Sequence, residues 1–480
     1  MRRRSVGAFV AALASVVLFP AVARAQSAFA GVVKDATGAV MPGVTVEAAS
    51  PVLIEQSKSV VSDASGAYKI IDLRPGTYTL TFTLAGFAAV KKEGIELPSN
   101  FTSTINAELR IGAIEETITV AGSSPVVDVS SNNKAQVLPR EVLDAVPTAH
   151  TIQSVGQLIV GVSLTAPDVG GSQAMQQTYF SVHGSGAAGT SVLMDGMIIN
   201  GLQGDGAIQS YLNDAGNQEM VYQTGGGSGD SPTSGLKLNM VPREGGNRFS
   251  GSMFLGVENW QSDNFTDALK AAGVTSVDKI GTYHDFDVTQ GGPFVKDKLW
   301  FFGSLRLFTV NKPIASTVVS DGTLAGLAAC RATPGSCPQG VDPQTINSGL
   351  VRFTWQVSPR NKFSAYVDKI HKERGAAMAP GDDQTTTSVV WTSPLYMTNT
   401  VKWTSTVSNK LLIEGGYSSN IERYTNQYQP GLEQPVGTPL WFTMATRTDS
   451  AAGTRSVVGP AEYFSYPDRY NAQASASYVT

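Results

Sequence analysis

From Arg248 to the end of this 480-residue chain, apolar and polar residues alternate with period two. Phe249, Gly251, Met253, Leu255 and Val257 alternate with Ser250, Ser252 and Glu258, and Leu305 and Leu307 with Ser304 and Arg306. Val351, Phe353, Trp355 and Val357 alternate with Arg352, Thr354 and Gln356. Val401, Trp403 and Val407 alternate with Lys402, Thr404 and Thr406, and Leu411, Ile413 and Tyr417 with Glu414 and Ser418. Successive side chains of a strand point to opposite faces, so each stretch reads as a strand with one greasy and one wet side. A soluble sandwich and a transmembrane β-barrel share this period. Loop lengths separate them. Ser358-Pro359-Arg360-Asn361, Ser408-Asn409-Lys410 and the stretch from Gly291-Gly292-Pro293 to Lys298 are tight, whereas the polar stretches near 260–282, 311–348, 372–398 and 425–469 are long. Short turns alternating with long loops are what outer-membrane barrels show. Arg352, Lys402 and Glu414 then sit on the lumen face.

Composition narrows the function classes. The charged fraction is 15%, below the ~25% of an ordinary soluble domain. The 49 Gly and 24 Pro imply many turns, and 42% hydrophobic residues argue against disorder. A net charge of −4 leaves no basic footprint for nucleic acid. Two cysteines cannot make a disulfide framework or a four-thiolate zinc site.

Residues 1–25 read as an export signal. Arg2, Arg3 and Arg4 precede an apolar run from Val6 to Pro20, and Ala23-Arg24-Ala25 places cleavage between Ala25 and Gln26. No later window is long and apolar enough for a membrane helix, so the mature chain is expected outside the cytoplasm, either soluble or inserted as a closed barrel.

Residues 26–112 read as short strands punctuated by turns. Gly31-Val32-Val33-Lys34-Asp35 leads to Gly38 and Pro42-Gly43-Val44-Thr45-Val46, then Ser62-Asp63-Ala64-Ser65-Gly66-Ala67-Tyr68, then Leu73-Arg74-Pro75-Gly76-Thr77-Tyr78-Thr79-Leu80-Thr81-Phe82. This spacing predicts a small β-sandwich. Residues 113–243 read as a mixed α+β domain. Pro139 to Pro147 gives about two helical turns, and His150 to Ile159 a further helix. Strands are expected at Tyr179 to Gly184, Ser191 to Met197 and Leu236 to Val241, with a Gly225-to-Asp230 loop.

The three ordered motifs of the first domain resemble the carboxypeptidase regulatory-like domain, a transthyretin-like sandwich, without any zinc-ligand histidine. The second domain, with MDGM at 194–197 and GGNRFSG at 245–251, resembles the plug of TonB-dependent outer-membrane receptors. A sandwich joined to such a plug resembles the Oar-like branch of that family. Leu238 to Arg243 departs mildly from the family's usual Gly-x-Asn-x-x-Thr-Lys. The expected fold class is therefore multidomain and mainly β: a transthyretin-like sandwich, an α+β plug (113–243) and the first strands of an incomplete transmembrane barrel (244–480). About eight strands are legible, against ~22 in a plugged barrel, and Tyr478-Val479-Thr480 lacks a terminal aromatic residue. The expectation is a fragment missing most of its barrel.

Glu116, Thr117, Ile118, Thr119 and Val120 resemble a TonB box, the extended strip that pairs by β-augmentation with the periplasmic protein TonB; an ordinary linker strand would read the same. Cys330 and Cys337 flank a Pro-Gly reversal and are expected to form a loop disulfide in an oxidising compartment. No catalytic, cofactor or metal site is expected. His150, His183, His284 and His371 share no ligand spacing, and Ser185 lacks a nucleophile-elbow pattern. The glycines at 225–227 are followed by no Lys-Ser or Lys-Thr. Asp195 is expected to cap a turn or bond within the plug. The aromatics Tyr424, Tyr428, Trp441, Phe442, Tyr463, Phe464 and Tyr466 either form a ligand surface or pack their loop down. The resemblance implies a non-enzymatic receptor in the cell outer membrane, in contact with its lipid. The sandwich would lie in the periplasm, with TonB as energy-coupling partner and a scarce or bulky solute as cargo. The alternatives are a non-transporting surface or adhesion protein of the same architecture, and a secreted enzyme carrying the sandwich.

Overall fold

The computed structural model describes residues 27–53, 56–74, 76–97, 102–112, 117–121, 134–165, 179–201, 211–225, 235–259, 265–408, 411–451, 453–459 and 462–478. The expected cleavage site at Ala25 and Gln26 lies outside them, as do Glu116 and most of the Gly225-to-Asp230 loop.

The first unit is a sandwich of β1 (Ser27–Asp35), β2 (Thr45–Ala49), β3 (Ser57–Val61), β4 (Ala67–Leu73), β5 (Gly76–Thr83), β6 (Ala89–Leu97), β7 (Thr102–Thr104), β8 (Ala107–Leu109) and β9 (Thr117–Ala121). One sheet runs β4-β1-β7, with β8 also on β1, and the other β3-β2-β5-β6-β9. Alternate residues of β5, Tyr78, Leu80 and Phe82, point into the core, where Phe29 meets Tyr78 and Tyr68 meets Phe82 edge to face. Two turns repeat one device. The Oδ1 atoms of Asp35 and Asp63 accept the backbone N–H two residues on, and Gly38 and Gly66 follow at positive φ. At Gly66 a Cβ would lie 2.7 Å from Val33 O, so only glycine fits.

The second unit begins with β10 (Lys134–Pro139) and a helix Arg140–Ala145. The next helix is only Ile152–Gly156, shorter than the expected His150 to Ile159. His150 takes a positive φ of 53°, and Thr151 closes the helix start with a capping box to Ser154. Then come β11 (Val162–Leu164), β12 (Phe180–Val182), β13 (Ser191–Met194), β14 (Met197–Ile198), β15 (Asn217–Gly225) and β16 (Lys237–Pro242). The main sheet has the order β10-β15-β16-β13-β14, with β13 parallel to β16. Asp195 and Gly196 both have positive φ, as a two-residue type I′ hairpin loop demands, which explains the Asp-Gly pair.

The rest is one antiparallel sheet of long strands. It comprises β17 (Ser250–Glu258), β18 (Thr282–Val295), β19 (Leu299–Pro313), β20 (Val341–Ser358), β21 (Asn361–Ala377), β22 (Val389–Ser408) and β23 (Leu411–Tyr428). A small hairpin of β24 (Arg447–Asp449) and β25 (Thr454–Ser456) follows, and then β26 (Tyr463–Ser465) and β27 (Asp468–Tyr478), which both pair with β23. Among the described residues the sheet is an open path from β17 to β26 and β27. Strands β18 to β23 run 14 to 20 residues, beyond the ~9–11 that a bilayer needs. Their outer ends therefore occupy part of the stretches expected as long loops, which shorten to 314–340 and 378–388. Helices Asp267–Ala271, Leu324–Ala332 and Pro439–Thr443 lie in the long connections. No helix among the described residues is long and apolar enough to cross a membrane, which says nothing of strands.

The sheet's two faces are inverted relative to a soluble protein. Val351, Phe353, Trp355 and Val357 are 44–51% exposed, while Arg352 and Thr354 between them are 2% and 0%. Leu305 and Leu307 are exposed and Ser304 and Arg306 buried in the same way. Near the short turns the outer face carries an aromatic ladder. Phe249, Phe301, Phe294 and Phe353 adjoin in that order, and Phe363 lies between Trp355 and Trp403. β17 is the exception, with most residues of both faces exposed, because it is an edge strand. The inner face and the α+β unit share a single hydrophobic cluster, in which Met194, Tyr211 and Tyr222 join Phe302, Tyr366 and Tyr396. The sandwich core is a separate cluster.

Candidate functional site

The chemistry of this chain is concentrated where the α+β unit meets the inner face of the long-strand sheet. Period-two patterning sends Arg352 of β20 inward. Its Nη1 donates to Asp195 Oδ2 at 2.6 Å and its Nη2 to Glu244 Oε1 at 2.9 Å. Asp195 sits at the tip of the β13–β14 hairpin, so the strained turn delivers its carboxylate to the wall. Asp195 thus occupies the turn expected of it, and its carboxylate reaches beyond its own domain to the wall. Lys402 of β22 donates to the Asp195 carbonyl at 3.2 Å and pairs with Glu414 of β23 at 2.8 Å. Arg352, Lys402 and Glu414, all expected on the inner face, thus meet around one hairpin. Gly416 leaves room for Met197 of that hairpin, whose Sδ would lie 2.7 Å from a Cβ there.

Wall residues also bind the hairpin's backbone. Ser418 Oγ donates to Ile198 O at 2.7 Å, Asn471 Nδ2 to the same carbonyl at 3.1 Å, and Asn420 Nδ2 to Ile199 O at 3.0 Å. These bonds satisfy buried groups that would each otherwise cost about 1–3 kcal/mol.

A second polar cluster was not singled out by sequence reasoning. Arg306 of β19 makes a two-pronged contact with Asp285 of β18, at 2.9 and 2.7 Å. It also donates to the carbonyls of His150 and Ala149, at 2.9 and 3.1 Å. His150 Nδ1 lies 3.2 Å from Asp214 Oδ1, and its ring packs on Phe254 of β17. Burial alone would raise the Asp214 carboxyl. The hydrogen bond and charge of His150, with Arg140 and Arg306, outweigh it and hold Asp214 below its usual value. Burial would likewise lower His150, but the bond to Asp214 and its charge lift it above its ordinary value. Asn213 donates to Asp287 and to Ser304. The available signal was a charge at the inward phase of an apolar strand, as at Asp285, Asp287 and Arg306.

The Gly-Gly-Asn stretch before β17 fastens the α+β unit's trailing end. Asn247 Oδ1 accepts from Asp297 N at 2.9 Å and Trp300 Nε1 at 2.8 Å, and its Nδ2 donates to Asp297 Oδ1 at 2.6 Å. Gly245, at positive φ, passes so close to Phe301 O that a Cβ would lie 2.3 Å away.

Of the candidate box, Thr117 to Val120 fall in β9, which pairs in parallel with β6 at the edge of the sandwich, Ile118 opposite Val90. Cys330 and Cys337 are joined by a disulfide that ties the helix Leu324–Ala332 to the turn after it. His183, His284 and His371 are not brought together, and no group of three metal-ligating side chains occurs among the described residues. Of the aromatics in the last long connection, Tyr424 packs edge to face on Trp391 and Tyr463, whereas Phe442, Phe464 and Tyr466 are exposed.

Residues 28–110 match the carboxypeptidase regulatory-like domain. Over 266 residues the chain is 31% identical to the TonB-dependent transporter Oar of Myxococcus xanthus, covering 54% of this chain and 24% of that one. Among solved structures, the outer membrane transporter YddB from Escherichia coli aligns with a TM-score of 0.49 at 12% identity, over 72% of this chain and 45% of that one. The siderophore receptor PirA from Acinetobacter baumannii aligns with a TM-score of 0.44 at 16% identity, over 71% and 45%. The chain spans about a quarter of the curated relative and under half of these solved chains. Over the matched span it is similar to a TonB-dependent transporter.

Two predictions follow from these contacts. Arg352→Met leaves Asp195 without its buried cation and Glu244 with Arg74 alone, and should destabilise seating of the α+β unit by about 3–5 kcal/mol. A double-mutant cycle with Asp195→Asn should return a coupling of about 0.5–3 kcal/mol, read from denaturant-dependent protease cleavage of that unit; additive losses would show the pair to be uncoupled. Glu219 of β15 is buried, its Oε1 has no hydrogen-bond partner among the described residues, and burial pushes its carboxyl up to about 8. The folded state then keeps a proton that the unfolded chain releases near 4.5, so this group costs stability progressively as pH rises from there through about 8. Relative to the parent, Glu219→Gln should gain stability across that window, by roughly 1–3 kcal/mol at its top, and gain nothing below it. A pH series of unfolding midpoints reads the difference.

Proposed function

We propose that this chain acts as an Oar-like TonB-dependent receptor of the cell outer membrane, importing a scarce or bulky solute. The observation that carries this reading is the inverted sheet. Its exposed face is apolar and its enclosed face is charged, and the α+β unit is hydrogen-bonded to the enclosed face. In water such a sheet would expose a broad apolar surface, whereas in lipid each face has its proper solvent. The aromatic ladder beside the short turns suits a membrane interface.

In this reading residues 26–112 form a periplasmic sandwich, residues 113–243 the plug, and residues 244–480 strands of the barrel. The long connections, including the Cys330–Cys337 disulfide loop, face outward. The outer membrane lacks its own nucleotide energy, so uptake would draw on TonB, which pairs with the strip Glu116 to Val120 and pulls on the plug. An exposed strip offers main-chain bonds for such pairing. The pairing of β9 with β6 favours a second reading, in which the strip is a structural strand of a non-transporting surface protein of the same architecture.

Energised uptake decides between them. Ile118→Pro removes a backbone donor and should abolish TonB-dependent uptake while leaving the protein in the membrane; unchanged uptake would remove the TonB role of the strip, and a parent protein that supports no energised uptake would favour the surface protein. Independently, Val351→Arg on the outer face should cost about 2–4 kcal/mol when the protein folds into lipid vesicles. No penalty there would remove the membrane assignment.

A further inference from the structure

The sandwich holds the α+β unit's chain at both of its ends. At the leading end, β9 pairs with β6 over five residues, from Ala89 opposite Thr117 to Glu93 opposite Ala121. At the trailing end Glu244, two residues after β16, is shared between two arginines. One is Arg74, from the turn between β4 and β5 of the sandwich. The other is Arg352 of the wall, which also holds Asp195. All four side chains are largely buried: Arg74 is 21% exposed and Glu244 11%. Arg74 is itself set in place, since Tyr78 Oη donates to its carbonyl at 2.6 Å and its Nη1 reaches Val52 O at 3.3 Å. The ion chain Arg74–Glu244–Arg352–Asp195 therefore runs unbroken from the sandwich, through the segment leaving the α+β unit, to the wall and the hairpin seated on it.

From this we infer that the sandwich is an intramolecular clamp: by neutralising Glu244, Arg74 keeps the β13–β14 hairpin seated on the wall, and withdrawing the sandwich loosens it. The physical reason lies in the charge count. With Arg74 in place two guanidinium groups face two carboxylates. Without it, Arg352 alone must serve both Asp195 and Glu244 in a site that water barely reaches, and a buried carboxylate short of its cation is costly. Arg74 acts through Glu244 and Arg352, so it is a positioning residue. The contact joins units distant in sequence, which makes it a route by which movement of the sandwich can bias the α+β unit.

Amide hydrogen exchange on the full chain in detergent micelles tests the clamp. Arg74→Ala should speed exchange in the hairpin Ser191–Ile198 and in β16 about 10-fold or more, with exchange in β1 to β6 unchanged. Arg74→Lys, which keeps the charge, should restore slow exchange at least in part. Hairpin exchange that stays at the parent rate in Arg74→Ala would overturn the inference. So would acceleration that spreads equally through the sandwich, because Arg74 would then only hold its own domain together. The readout requires no transport, so loss of uptake in Ile118→Pro and failure of the clamp are separate results.

Discussion

A guanidinium held at 2% exposure in the middle of a sheet has to find its counter-charge on the enclosed side. Arg352 is that group, and much of the architecture follows from it. The outer face of β20 is apolar, so nothing there can neutralise it. The inner face must supply carboxylates, and they come from another unit, Asp195 from a hairpin tip and Glu244 from the segment behind it. The sheet and the α+β unit are thus each incomplete alone. One has buried cations and the other has carboxylates presented by strained or tightly packed backbone.

The two faces of the sheet were legible in the sequence because strand periodicity is strict and the residues differ sharply between phases. Val351, Phe353, Trp355 and Val357 could not share a face with Arg352 and Thr354 in any extended conformation. The glycines and aspartates of the sandwich turns were equally legible, since Asp35 and Asp63 bond within four residues of themselves. The partners across the interface were not. Asp195 was visible as half of an Asp-Gly turn, but nothing local says that its carboxylate reaches a residue 157 positions away. The partners of Arg306, Asp285 and Asp214 were hidden for the same reason. Each is unremarkable until folding sets it beside the others. Helix limits failed locally too: His150 adopts a left-handed conformation, and the helix starts only after Thr151.

The contacts between the α+β unit and the sheet differ in kind along the interface. Met194, Tyr211 and Tyr222 share an apolar cluster with Phe302, Tyr366 and Tyr396, where dispersion and dehydration act without direction. Around Arg352, Lys402 and Arg306 the contacts are charged and directional. Buried ion pairs are poor sources of net stability, because desolvation offsets most of the attraction. Their contribution is to make one seating much better than its neighbours, since a shift of an ångström leaves charges unpaired.

That distinction bears on how such an interface can open. An apolar contact weakens gradually as it separates, whereas an ion chain fails at one link and leaves the others mismatched. Glu244 is the link with two cations, one from the sandwich and one from the wall. Removing either changes the balance at the other without touching the hydrophobic cluster. A unit seated in this way can be held firmly by the sum of its contacts and still respond to a change at its rim. The energetically large part of the interface then stays intact while the charged part sets whether the hairpin is fixed or free.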